Sequence, residues 1–284
     1  MVATTQAPAP HTNEHRPDET YDVDGFQVRV YGQPDAPAVL LLHGLILDGR
    51  MWDGQIEALR QSFRVVVPDF LNHGQSAPAP AGYNILKQAD DLNKILDRLE
   101  VPDAILVGFS MGGMTAMQFA SRSPMRVKAL ALLNTSAETE PTKAKARFSA
   151  LALSARLFGL QPWLRRRALE VMFGVTFRAT HPDVVAWWDQ RLAGSDKRAV
   201  QRAVQLVISR PRLRGLEALD LPTLVIASDE DIATPVHRGR HIADTIPNAS
   251  FQLIPRCGHC SPVEQPELVS SLLLKFCERV SGVA

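Results

Sequence analysis

The chain is 284 residues long, 45% hydrophobic and 21% charged, with a formal net charge of +1. This is the composition of a globular protein with a large core, long for one domain but ordinary for an α/β sheet carrying an insertion. No segment approaches the length of a membrane span, no basic stripe is interleaved with aromatics as in nucleic-acid binders, and three cysteines are too few for a disulfide scaffold.

Residues 1–20 are rich in Ala, Pro, Thr and charge, and they lack the apolar stretch of a secretory signal. They read as a disordered tail, and the cytoplasm is the expected location. Strand signals begin over residues 19–30, a hairpin around Asp24-Gly25. Residues 37–42 form a continuous apolar run that leads into His43-Gly44-Leu45-Ile46, and residues 64–67 form a further strand. Helical periodicity covers residues 51–61 and 85–99.

Residues 103–107 read as a short buried strand and residues 113–120 as a helix with an apolar face. Between them stands Gly108-Phe109-Ser110-Met111-Gly112. A G-x-S-x-G between strand and helix is a nucleophile elbow, a sharp turn that lifts the serine oxygen clear of the sheet. A side chain at either glycine would crowd the packing of strand against helix. Residues 127–133 then form another strand.

From residue 139 to 217 the strand signals stop, and Ala, Leu, Arg and aromatic residues dominate. This predicts a helical cap, inserted between core regions 21–138 and 218–284 and covering Ser110. The segment holds 15 Lys and Arg against 6 Asp and Glu, a net +9, so the rest of the chain carries −8. A basic lid would steer an anionic substrate, such as one bearing a carboxylate. A solvated helix face holding Arg165-Arg166-Arg167 is the competing reading. Phe158, Trp163, Phe173, Phe177, Trp187 and Trp188 are candidates to line an acyl pocket. Against this, aromatic stripes at helical spacing commonly pack a cap onto its core.

Residues 221–227 are a buried strand ending in Ser228-Asp229-Glu230-Asp231, and residues 237–245 are helical. A strand over residues 250–255 leads into Arg256-Cys257-Gly258-His259, before a last helix over residues 266–280. A serine hydroxyl is a poor nucleophile at neutral pH and needs a histidine to take its proton and a carboxylate to orient that histidine. The order Ser110, acid, His259 is that of the α/β-hydrolase arrangement and not of the chymotrypsin-like or subtilisin-like proteases. Asp231 precedes the turn Ile232-Ala233-Thr234-Pro235, from which its side chain can reach the histidine loop; Asp229 is the alternative. Acyl transfer also builds charge on a carbonyl oxygen. The backbone N–H groups of Met111, at a helix N-terminus, and of Leu45, after His43-Gly44, are the candidate oxyanion donors.

Cys257-Gly258-His259-Cys260 also spells C-x-x-C. A thioredoxin-type site needs that motif where a helix begins directly, early in a βαβ unit, whereas Pro262 and Pro266 delay the helix here. One histidine beside two thiols, without a second ligand pair, does not make a metal site. No metal and no organic cofactor is implied.

His43-Gly44-Leu45, Pro68-Asp69-Phe70-Leu71-Asn72-His73-Gly74-Gln75-Ser76, Gly108-Phe109-Ser110-Met111-Gly112-Gly113, Asp231-Ile232-Ala233-Thr234-Pro235 and Gly258-His259 together resemble the α/β-hydrolase superfamily in its serine-nucleophile branch. The closest likeness is to small bacterial esterases, 3-oxoadipate enol-lactonase-like and cofactor-free haloperoxidase-like enzymes. Many relatives carry Arg-Gly where this chain has Leu71-Asn72; Asn tolerates a left-handed backbone, so the turn can survive. The resemblance implies a mostly parallel sheet flanked by helices, and a hydrolase of small-molecule carboxylic esters or lactones. Carbon–carbon bond hydrolysis, acyl transfer and perhydrolysis share the same triad, and a non-catalytic ligand receptor is the alternative of another class. No nucleic-acid or membrane partner is implied, and the oligomeric state is not legible.

Overall fold

The computed structural model describes residues 15–283. Its strands are β1 (Glu19–Val23), β2 (Phe26–Tyr31), β3 (Ala38–Leu42), β4 (Arg64–Pro68), β5 (Ala104–Phe109), β6 (Val127–Leu133), β7 (Thr223–Ser228) and β8 (Ala249–Ile254). They form one sheet in the order β1-β2-β4-β3-β5-β6-β7-β8. The hairpin β1–β2 is antiparallel and joins β4 antiparallel, while β3 to β8 run parallel to one another. The mostly parallel sheet expected from the alternation of elements is therefore present. Of the tail expected over residues 1–20, residues 1–14 lie outside the described residues, while Glu19 and Thr20 belong to β1 and pair with Val30 and Arg29.

Helices supply the crossovers that parallel strands require. They are α1 (Asp53–Leu59), α2 (Ile85–Arg98) and α3 (Met111–Arg122), then α4 (Thr142–Phe158), α5 (Pro162–Met172), α6 (Val175–Thr180), α7 (Pro182–Ala193) and α8 (Lys197–Ile208) between β6 and β7. After β7 follow α9 (Val236–Thr245), the single turn α10 (Ser261–Glu264) and α11 (Pro266–Ser281). Asn84 sets the start of α2, its side chain accepting the N–H groups of Leu86 and Lys87. Among the described residues no helix is long and apolar enough to cross a membrane.

Every residue of β3, β5 and β7 is buried, because helices cover both faces of the sheet. Alternation along the strands divides the core in two. Leu40, Leu42 and Leu106 pack with Leu92 of α2, Met117 of α3 and Ile242 of α9. Val39, Leu41 and Ile105 pack with Ile56 of α1 and with Leu273 and Phe276 of α11. The second cluster continues into the inserted helices through Leu169, Met172, Phe173 and Trp188, so the insertion is docked on the core by aromatic and aliphatic burial. The loops after β3, β5, β6, β7 and β8 all leave the carboxyl edge of the sheet, the edge where open α/β sheets bind ligands.

Candidate active site

Ser110 occupies the turn between β5 and α3 with φ 51° and ψ −113°, a left-handed conformation that a non-glycine residue adopts at a cost on the order of 1–3 kcal/mol. Backbone and side-chain bonds hold it there. Its N–H donates to the Leu133 carbonyl at 2.9 Å, and its carbonyl accepts from Thr135 Oγ1 at 2.6 Å and from the Met114 N–H at 3.0 Å. The glycines permit the close approach: a Cβ on Gly108 would stand 2.6 Å from Gly113 Cα, and one on Gly112 only 2.0 Å from the Leu42 carbonyl oxygen. The turn is thus clamped between strand and helix, as the motif predicts.

His259, in the loop between β8 and α10, lies with Nε2 3.0 Å from Ser110 Oγ and Nδ1 2.8 Å from Asp231 Oδ2. The carboxylate fixes the proton on Nδ1, which leaves the Nε2 lone pair facing the serine hydroxyl. The ring packs on Phe109 at 4.9 Å between centroids. Asp231 is the acid that reaches the histidine; Asp229 instead accepts the Cys257 N–H at 3.3 Å. The Asp231 carboxylate also accepts from the N–H groups of Ala233 and Thr234, from Thr234 Oγ1 and from Asn134 Nδ2. Burial raises its pKa, but the adjacent imidazole and these donors outweigh that and hold it below the ordinary carboxylate value.

Leu45 follows Gly44, which packs directly against the elbow: a Cβ there would lie 2.6 Å from the Phe109 ring and 3.4 Å from Ser110 Cβ. His43 sets the orientation of this loop. The Phe70 N–H donates to His43 Nε2 at 2.9 Å, so the ring proton sits on Nδ1 and donates to the Gly44 carbonyl at 2.8 Å. Burial pushes His43 down to about 4, so the ring is neutral. Met111 is the first residue of α3, where N–H groups lack intrahelical acceptors. Asn72 takes φ 69°, the left-handed turn that its side chain tolerates.

A cavity of about 670 Å³ lies between the loops after β3 and β4 and the helices α7 and α8. Ser110 is half-buried and is not on its wall. Of the six aromatic candidates, Trp188 lines the cavity. Phe158 and Trp163 are 65% and 51% exposed. Phe173 and Phe177 are buried and stacked at 5.4 Å, and Trp187 meets Trp188 edge-on at 5.0 Å.

Cys257, Cys260 and Cys277 are buried free thiols, and burial raises the pKa of each. Among the described residues no cluster of His, Cys, Asp and Glu could hold a metal ion. Two residues that the sequence did not single out support the site. Asn134, directly after β6, donates to Asp231 and accepts from Ser261 Oγ; its place at a strand's carboxyl end was the available signal. Glu264, in α10, binds the backbone around His259, and no spacing rule announces it.

A family model described as alpha/beta hydrolase fold matches residues 37–266. Among known proteins, the chain is 30% identical over 256 residues to a putative carbamate hydrolase RutD of Stutzerimonas stutzeri, covering 85% of this chain and 92% of that one. It is 28% identical over 237 residues to 3-oxoadipate enol-lactonase 2 of Acinetobacter baylyi, covering 84% and 87%. Among solved structures, a thermophilic esterase from Thermogutta terrifontis superposes with TM-score 0.85 at 29% identity, covering 92% of this chain and 99% of that one. The enol-lactonase from Burkholderia xenovorans LB400 gives 0.83 at 26%, covering 91% and 99%.

Proposed function

This chain belongs to the alpha/beta hydrolase fold family, and on that premise we propose that it is a serine hydrolase cleaving a carboxylic ester or lactone through an acyl-enzyme intermediate. One observation carries the reading: an unbroken hydrogen-bonded chain from Ser110 Oγ through His259 to Asp231, with links of 3.0 and 2.8 Å. The esterase and enol-lactonases among the similar proteins support the ester or lactone class.

In the first step Ser110 Oγ attacks the carbonyl carbon while its proton passes to His259 Nε2. Asp231, ionised and bonded to Nδ1, stabilises the imidazolium. The oxyanion of the tetrahedral intermediate accepts from the N–H groups of Leu45 and Met111, each contributing on the order of 3 kcal/mol. Collapse expels the alkoxide, which takes the proton from His259 Nε2. Water then attacks the acyl-enzyme with His259 as base, and release of the acid returns the proton to Ser110. Helices α4–α8 serve as the cap, and Trp188 is the aromatic assigned to substrate; Phe158 and Trp163 stand at exposed positions and are left out.

A fluorophosphonate probe tests this directly. Labelling of the wild-type chain that disappears in Ser110→Ala is expected. A wild-type chain that stays unlabelled and does not turn over p-nitrophenyl acetate overturns the reading.

A further inference from the structure

We propose that the cavity between α7, α8 and the loops after β3 and β4 is a subsite for a carboxylate carried by the substrate, which rests on the hydrolase reading and narrows it to anionic esters or lactones. The charged lining consists of Arg50, Arg191, Arg198 and Arg202 against Asp48 and Asp196. Neither aspartate neutralises the α8 pair. Asp48 Oδ2 accepts from both Arg50 and Arg191 at 2.7 Å, and Asp196 caps α8 by accepting the Ala199 N–H at 2.7 Å.

Arg198 and Arg202 stand four residues apart on α8, hence on one face, and both are exposed. Arg198 has no hydrogen bond or ion pair among the described residues. Among the described residues Arg202 donates only to the Ala79 carbonyl, at 3.3 Å. Two unneutralised guanidinium groups in a cleft focus positive potential, and each matches a planar carboxylate through two parallel N–H···O bonds. The remaining wall is mixed, with Asn72, His73, Ser76 and Ser195 beside Ile46, Trp188 and Leu192, and the last three offer apolar contact to an alkyl chain that ends in such a group.

The cavity is placed to serve the same substrate as Ser110. Ile46 is on its wall and stands two residues after Gly44, whose position faces Ser110 Cβ. With about 3.8 Å between successive Cα atoms, the wall begins on the order of 10 Å from the serine. A carbonyl at Ser110 and an anion between Arg198 and Arg202 therefore belong to the two ends of one small molecule. The excess of basic residues in the insertion acquires a location: part of it faces the cavity.

The test compares kcat/KM for monomethyl sebacate and methyl decanoate, which differ in a terminal carboxylate and are long enough, at roughly 11 Å from end to end, to cover the distance from the serine to the cavity. The wild-type chain is expected to favour the sebacate ester by about tenfold or more, the worth of one charge-assisted contact. The double variant Arg198→Ala/Arg202→Ala abolishes that preference, whereas Lys275→Ala, an exposed charge on α11, keeps it. Absence of the preference in the wild type, its survival in the double variant, or its loss in Lys275→Ala overturns the proposal. Calorimetry with monomethyl sebacate on Ser110→Ala separates the two readings, since binding there needs no turnover. Binding that is lost with the two arginines upholds the subsite even if neither ester is cleaved. Equal competition by inorganic phosphate overturns the assignment to a carboxylate.

Discussion

The carboxylate of Glu264 holds the backbone on both sides of His259, accepting the Gly258 N–H at 2.8 Å through Oε2 and the Cys260 N–H at 3.1 Å through Oε1. Oε2 also accepts the Gly174 N–H of the insertion at 3.0 Å. One buried side chain thus ties the histidine loop to the segment between α5 and α6. Nearby, Glu230 accepts the N–H and the hydroxyl of Thr176, which docks the start of α6 on the loop after β7. Replacing Glu264 with Gln turns one acceptor into a donor facing a backbone N–H. Glu264→Gln is therefore expected to lower stability by about 1–3 kcal/mol, the cost of an unsatisfied buried group. It also lowers kcat for p-nitrophenyl acetate with little change in KM, because His259 shifts while the cavity does not. Denaturant titration and steady-state kinetics read both, and an unchanged kcat removes the positioning role.

The same residue predicts a pH dependence of stability. Burial pushes Glu264 up from 4.5 to about 7, against the pull of the three N–H donors. A carboxyl raised in the folded state binds more protons there than in the unfolded chain between these two values. Its contribution is complete below about 4.5 and is lost as pH rises through about 7, amounting to about 3 kcal/mol. Asp231 works in the opposite sense: its lowered pKa gives stability present above the ordinary carboxylate range and lost as pH falls through its folded value. Denaturant midpoints measured between pH 4.5 and 8 should decline in the wild type and flatten in Glu264→Gln. Equal slopes in the two chains contradict the assignment.

Strain at the elbow can be separated from chemistry. Ser110→Ala and Ser110→Gly both remove the hydroxyl, and both are expected to lower kcat for p-nitrophenyl acetate by about 10⁴-fold or more. Only glycine adopts φ 51° without a steric penalty. Ser110→Gly should therefore melt higher than Ser110→Ala, by a difference of about 1 kcal/mol. Equal melting temperatures mean that the conformation is not strained in the folded chain.

The alternation of apolar runs and helical periods made the sheet legible, because parallel strands such as β3 and β5 are buried on both faces and leave continuous hydrophobic runs. Ser110 and His259 were legible because each follows a strand at the carboxyl edge, and Asp231 because the turn after it bends toward the histidine loop. Aromatic residues of the insertion were not legible as pocket or packing. Phe173 and Trp163 lie ten residues apart in sequence, yet one is buried and the other half-exposed. Glu264 was hidden for a different reason. Its partners are backbone N–H groups, which leave no mark on residue identity.

His43 supplies the last prediction. The Gly44 carbonyl and the Leu45 N–H belong to one planar peptide unit and point in opposite directions. A hydrogen bond that fixes the carbonyl therefore fixes the N–H as well, and His43 Nδ1 makes the shorter of the two that the Gly44 carbonyl accepts, at 2.8 Å against 3.3 Å from the Leu47 N–H. The informative variant is His43→Phe, which keeps a ring and removes the bond to Gly44; it also leaves the Phe70 N–H without its acceptor, so its stability is measured beside its kinetics. If the Leu45 N–H holds the oxyanion, freeing its peptide should lower kcat for p-nitrophenyl acetate by roughly 10²–10³-fold. KM should change little, since the donor matters most where charge develops. Crystallography of the variant would show the Gly44 carbonyl rotated. A fully active variant with that carbonyl rotated places the oxyanion donor elsewhere.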